Sequence, residues 1–268
     1  CRYDVLHPAR FVGLRNYAEL VKEDPLFWKS LWNTTFMVIF GVPANLIVSL
    51  ALALLLTPDI KGCRTYRTIF YLPSIVPLVA ASLLWMWIFN PEFGLLNAAI
   101  AKVNELLEKL HVGFALPQPK WLGQEQWAKP ALIIMGLWGV GGSCIIWIAG
   151  LKGISSTLYE AAEIDGATWW QKFRYITLPM LTPYIFFNLI MGTIGAFQIF
   201  AQAYIMTQGG PVDATLFYVY YLFNNAFRFF RMGYACAMAW ILFVVILALT
   251  MVQVWLGKRW VYYEARRE

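Results

Sequence analysis

The sequence predicts an all-α fold, a polytopic transmembrane helical bundle, and three observations lead there. The 268 residues are 60% hydrophobic and 17% aromatic, and only 13% are charged, against about 25% in soluble domains. Mean hydropathy over the whole chain is +0.58, in the range of membrane proteins. Five apolar stretches, roughly 32–57, 68–90, 130–151, 183–206 and 233–257, stand out. Each is long enough to cross the ~30 Å hydrocarbon core, which takes about 20 residues of helix. Lipid offers the backbone no hydrogen-bond partner, so such stretches form helices that satisfy themselves.

Composition also sets aside several functions. The net charge of +6 is modest and spread along the chain, and no basic run with interleaved aromatics points to nucleic acid. Cys1, Cys63, Cys144 and Cys236 form no C-x-x-C, and two of them fall within apolar spans. Neither a disulfide framework nor a zinc site is expected. His7 and His111 are isolated and read as surface or interfacial residues, so no metal is expected. An ion-coupled carrier usually needs an intramembrane carboxylate, and no acidic residue lies within the five spans. A polytopic membrane enzyme needs a polar cluster at an interface; Glu92 and His111 are the candidates and belong to no recognisable constellation.

Charge orients the spans. Segment 58–67 carries Lys61, Arg64 and Arg67 against Asp59, and the C-terminus carries Lys258, Arg259, Arg266 and Arg267 against Glu264 and Glu268. Short basic segments stay in the cytoplasm. Segment 91–129 balances Lys102, Lys109, Lys120 and Lys129 against Glu92, Glu105, Glu108 and Glu125, which fits the outside. The N-terminal segment 1–30 is then external and 152–182 cytoplasmic. An external start without Met implies an upstream first helix, and 1–268 reads as a single transmembrane domain. Within the outer loop, Leu95, Leu96, Ala99, Ile100, Val103, Leu106, Leu107 and Leu110 recur at helical spacing, predicting an amphipathic helix at the membrane surface. Trp121 and Trp127 are expected as interfacial anchors.

Segment 152–182 is polar and lies between two spans. Ser155, Ser156 and Thr157 offer N-caps for a helix over 158–164 with Glu160, Glu163 and Asp165 exposed. Ala161 and Ala162 give it a face that another surface can approach closely. Gly166 ends it. A second helix over 168–176 leads to Leu178 and Pro179 at the start of the next span, where a missing N–H costs little.

The pattern Glu160-Ala161-Ala162, three residues, Gly166, nine residues, Ile176-Thr177-Leu178-Pro179 resembles the E-A-A loop of ABC-importer permeases. Phe11-Val12-Gly13-Leu14, Asn16-Tyr17, Leu72-Pro73 with Pro77, and Thr207-Gln208-Gly209-Gly210-Pro211 are similar to the MalF-like permease of maltose-type carbohydrate importers. The resemblance covers the whole chain. It implies a type I importer permease fold in a bacterial inner membrane. It also implies partners: a second homologous permease, two ATPase subunits and an extracytoplasmic sugar-binding protein. ATP and magnesium would belong to the ATPase, since this chain has no G-x-x-x-x-G-K-[ST] and needs no cofactor of its own. Glu160, Ala161, Ala162, Asp165, Gly166, Leu178 and Pro179 would then couple the ATPase to the membrane.

A sugar needs hydrogen-bonding side chains and flat apolar faces, so polar and aromatic residues within spans mark a candidate solute path. Asn188, Gly192, Gly195, Ile199 and Gln202 follow in steps of three or four, on one face of a helix over 183–206; Gln198 lies beside them. Such a stripe fits a wet cavity and fits tight helix packing equally well. Alignment with the family puts solute contacts near Ser74 and Leu78, Trp138 and Gly139, and Gly192, Gly195 and Ala196. Several of these side chains differ from those of the maltose permease, which points to another sugar or a polyol.

Overall fold

The computed structural model describes residues 3, 8, 10–58, 61–111 and 113–262. Cys1, His7, Asp59, Glu264, Arg266, Arg267 and Glu268 lie outside the described residues. Every regular element among the described residues is helical. In chain order these are α1 Arg15–Lys22, α2 Pro25–Phe36, α3 Val42–Leu56, α4 Cys63–Ile75, α5 Leu78–Ile88, α6 Leu95–Lys109, α7 Glu125–Trp138 and α8 Gly141–Lys152. They continue with α9 Ser156–Ile164, α10 Trp169–Met180, α11 Thr182–Phe197, α12 Tyr218–Phe223 and α13 Met232–Trp260.

Two helices are long and apolar enough to cross a membrane, and counting each of three bent pairs as one span brings the number to the five expected; the fourth does not match the expected 183–206, since its second helix ends at Phe197. A π-helical turn at Met37–Gly41 joins α2 to α3, giving one 32-residue helix, and α13 is a 29-residue helix. The pairs α4–α5, α7–α8 and α10–α11 bend by 98°, 51° and 62°. The α4–α5 break has a local cause. Proline disfavours helix in the residue before it, so Val76 leaves the helix and Pro77, with ψ 134°, starts a new one. The start of α2 is equally local: Asp24 Oδ1 accepts from the N–H groups of Leu26 and Phe27 at 3.0 and 3.1 Å, and Pro25 occupies the first turn.

Contacts divide the chain into two compact units. The first comprises Cys1–Ile39, Val76–Met135 and Ala196–Phe243. Its centre is Phe27 against Tyr218, edge to face at 5.8 Å, and Tyr218 donates to the Met238 carbonyl at 2.9 Å. Asp24 Oδ2 accepts from Tyr221 at 2.6 Å and from Tyr234, so one carboxylate caps α2 and ties it to α12 and α13. The amphipathic α6 forms as expected, with Leu95, Val103 and Leu106 exposed. Trp121 departs from the expectation. It is buried between Phe89 and Trp127 and donates to Asn97 Oδ1 at 2.8 Å. It therefore pins α6 from inside rather than anchoring the protein to lipid.

The second unit comprises Phe40–Ile75, Gly136–Gly195 and Val244–Glu268. Here α3 packs along α8 around Ala53, Leu56, Cys144, Trp147 and Leu181. The buried Trp147 donates to Ser49 Oγ at 2.8 Å, which removes the cost of burying an unpaired indole N–H. At Gly141 an added Cβ would lie 2.2 Å from the Phe70 carbonyl oxygen, so α4 and α8 meet backbone to backbone, as small residues allow. Arg67 closes α3 by donating to the Leu56 and Thr57 carbonyls at 2.8 and 3.0 Å, a cation on the negative end of the helix dipole.

Candidate coupling segment and solute path

The segment after α8 folds as its sequence dictates. Ser155 caps α9, accepting from the Thr157 N–H at 3.3 Å. At the other end Gly166 has φ +75°, a left-handed conformation that costs glycine nothing. The Gly166 N–H reaches the Glu163 carbonyl at 3.0 Å and the Ala167 N–H reaches that of Ala162 at 2.8 Å. This paired closure is a Schellman motif. Thr168 and Gln171 then cap each other to begin α10, and a π-helical turn at Phe173–Thr177 carries the chain to Leu178 and Pro179.

Two side-chain contacts bind α9 to α10. Tyr159 and Thr177 share a hydrogen bond of 2.9 Å, and Lys172 Nζ lies 2.7 Å from Glu163 Oε1. The hydrogen bond from Lys172, and then its charge, hold the Glu163 carboxyl below the usual carboxylate range. Glu160, Ala161, Asp165 and Gly166 are exposed, and Ala162 is half-buried. Ile164 is 88% exposed, a large apolar side chain with no cover in this chain. Trp169 and Trp170, also exposed, stack on Phe173 at 5.6 and 5.5 Å. The segment is thus a braced helix–turn–helix presenting an uncovered face. Tyr159, Thr177, Glu163 and Lys172 are the bracing residues, and their roles depend on tertiary contacts that spacing alone does not reveal.

The solute-path residues are distributed differently from the expectation. In the second unit Asn188, Gly192 and Gly195 do share a face of α11. Asn188 is buried and donates to the Tyr184 carbonyl one turn back at 2.9 Å; a Cβ on Gly192 would meet Val42 at 3.0 Å, whereas Gly195 faces open space. The single helix expected over 183–206 does not form. It ends at Phe197, and 198–200 are not helical. Phe200 is held by Tyr204, Tyr220 and Phe223 at 5.0–6.2 Å, a tertiary cluster that overrides helical continuity. Gln198 and Gln202 therefore do not extend the stripe. In the first unit Gln198 sits exposed in the break, Ala196 is half-buried in the last turn of α11, and Gln202 starts the next helical turn.

The other candidates gather at breaks. Ser74 lies in the last turn of α4 and Leu78 begins α5; Trp138 ends α7 and Gly139 follows it. Within the second unit a Cβ on Gly142 would lie 3.8 Å from Ser74 Cβ, so two interrupted spans meet there. Within the first unit α5 packs on the helical turn Ala203–Thr207 that follows Gln202. Non-helical backbone inside a span is tolerated where protein buries it or where it lines water. Glu92 and His111, by contrast, lie beyond opposite ends of the 15-residue α6, a helix about 22 Å long at 1.5 Å per residue, and form no shared cluster.

The "Probable ABC transporter permease protein YesP" of Bacillus subtilis (strain 168) is 41% identical over 269 residues, covering 99% of this chain and 84% of that protein. The "Sulfoquinovosyl glycerol transport system permease protein SmoG" of Agrobacterium fabrum is 35% identical over 246 residues, covering 91% of this chain and 76% of that one. A crystal structure of a bacterial ABC transporter involved in importing alginate shares the fold: TM-score 0.76, 24% identity, 93% of this chain and 84% of that chain. The family model described as "Binding-protein-dependent transport system inner membrane component" matches residues 45–262. With the multi-pass helices and the braced segment, this makes the chain a member of that family of membrane permease components.

Proposed function

We propose that this chain is one of the two membrane-spanning subunits of an ATP-driven saccharide importer in a bacterial inner membrane, and that 160–179 is its seat on an ATPase. The observation that carries the reading is the α9–α10 unit: rigid by its own bonds, exposed, and continuous through Leu178 and Pro179 with a span. A displacement applied to α9 passes to α10 through Tyr159–Thr177 and Glu163–Lys172. The basic segments flanking the spans support a cytoplasmic position for this unit.

The partners are a second homologous permease, two ATPases holding ATP and magnesium, and an extracytoplasmic binding protein. The saccharide class is supported by the glycoside named for the Agrobacterium relative. Each unit by itself offers solute contacts at its span breaks: Ser74, Trp138, Gly139 and Gly195 in the second, and Leu78, Ala196 and Gln198 in the first. Discontinuous helices of this kind form the substrate sites of many transporters. Asn188 and Gly192 serve packing in this account, because their surroundings in the second unit are already filled.

The direct test is to purify the chain from its own membrane in mild detergent and identify what accompanies it by mass spectrometry. Recovery of a phosphate-loop ATPase and a second E-A-A-bearing permease is the expected result. Ala161→Glu puts a charge on the small face and should lower solute-stimulated ATP hydrolysis at least about tenfold while the spans still fold. Recovery of the chain alone and active, or full coupling in that variant, overturns the assignment.

A further inference from the structure

The first unit holds a cavity of about 610 Å³ that none of the solute-path residues touches. It lies where α1, the turn before α13 and the start of α13 meet, and Arg15, Glu19, Phe229, Phe230, Arg231 and Tyr234 line it. Its size falls in the range of sites for small organic ligands, about 300–1,000 Å³. Its chemistry is mixed in a specific way. Arg231 is committed: it pairs with Glu19 and stacks on Tyr234 at 4.0 Å. Arg15 is exposed and enters no ion pair among the described residues, so its guanidinium, five N–H donors in a planar fork, is available to a ligand. Phe229 and Phe230 remain 61% and 57% exposed. Phe230 holds φ +53°, a strained backbone for a bulky side chain, and such strain concentrates at functional sites.

We infer that this cavity binds a carboxylate-bearing saccharide. The planar fork of Arg15 matches a carboxylate with two parallel hydrogen bonds. The exposed phenylalanine faces take the apolar C–H face of a sugar ring. Glu19, an acceptor at its edge, suits the ring's hydroxyls. An anionic headgroup such as phosphatidylglycerol offers Arg15 the same charge but no sugar-ring face for Phe229 and Phe230. The inference rests on the importer reading above and narrows its substrate class. In the orientation proposed there the cavity opens on the extracytoplasmic side, where solute first arrives.

The test is a titration of digalacturonate against the purified transporter in nanodiscs of phosphatidylcholine, without ATP, followed by saturation-transfer NMR and calorimetry. Binding of digalacturonate, with no binding of its carboxyl-reduced neutral counterpart, is expected. Arg15→Gln should weaken it about tenfold or more, the worth of a hydrogen bond to a charged group, and Arg15→Lys should recover part of that loss. Arg15 lies at the surface, so folding is not at risk, and Phe230→Ala is the independent second variant, expected to weaken binding as well. Absence of binding, equal binding of the neutral sugar, indifference to Arg15→Gln, or displacement of digalacturonate by phosphatidylglycerol added to the nanodisc would each overturn the inference. Failure here with the ATPase still co-purifying leaves the importer reading standing, and failure of co-purification is read on a different experiment.

Discussion

Two of the polar connections between the apolar stretches are held in opposite ways. The 155–181 segment is braced from within: both caps, the Schellman closure, Tyr159–Thr177 and Glu163–Lys172 all fall inside it. The 207–217 loop has internal bonds, Thr207 to Thr215 at 2.6 Å and Thr215 to the Gly210 carbonyl at 2.7 Å, but its anchors come from far along the chain. Lys29 donates to the Val212 carbonyl at 2.6 Å, and Asn33 donates to those of Asp213 and Leu216 at 2.7 and 3.2 Å. Thr34 Oγ1 accepts from the Tyr218 N–H at 2.9 Å. The contrast is mechanical. A segment braced by itself moves as one piece, whereas a loop bonded to a spanning helix stays with that helix.

Breaking the brace at its turn should have the largest effect. Gly166→Pro cannot adopt φ +75°, removes the N–H that reaches the Glu163 carbonyl, and disfavours the helical conformation of Asp165. Reconstituted transporter carrying it should lose uptake and solute-stimulated ATP hydrolysis by about a hundredfold, while permease–permease assembly on a sizing column persists. Near-normal uptake would show that the turn transmits nothing.

The same comparison predicts where stability is lost without loss of coupling. Asn33→Ala removes two hydrogen bonds to loop carbonyls and the acceptor of Lys129, whose Nζ lies 3.0 Å from Asn33 Oδ1. Buried groups left unpaired cost about 1–3 kcal/mol each, so thermal unfolding in detergent should show a loss of about 3 kcal/mol. The ATP hydrolysed per solute transported by the surviving fraction should be unchanged. Thr168→Ala removes only a cap and should cost about 1 kcal/mol, visible as faster amide exchange in α10. A larger loss from the cap than from Asn33 would reverse the proposed division between self-braced and anchored segments.

What was legible in the residues follows the same division. Ser155, Gly166 and Pro179 act on their near neighbours, so residue type and spacing reveal much of the coupling segment. The breaks after Trp138 and Phe197 are decided by distant packing, Gly141 against Phe70 and Phe200 within its aromatic cluster, and periodicity reads straight through them. The same blindness placed Trp121 at a lipid interface, since burial depends on Asn97 and Phe89 arriving from elsewhere. At Val76–Pro77 the break carries a local signal, because proline acts on its neighbour directly.

The smallest effect tests whether the brace is electrostatic. In the folded chain Lys172 lowers the Glu163 pKa. A lowered pKa gives stability that is fully present above the unfolded value, about 4.3 for glutamate, and that is lost as pH falls through the folded value. Glu163 is exposed, so solvent screens the pair and the contribution is small. Glu163→Gln should therefore unfold slightly earlier than the unchanged protein at pH 7, and the gap should close as pH falls below about 4. It should also shrink in high salt, which screens exposed charges. A gap independent of pH and salt would mean that Glu163 acts through packing, leaving the Tyr159–Thr177 hydrogen bond as the side-chain contact that transmits motion from α9 to the membrane.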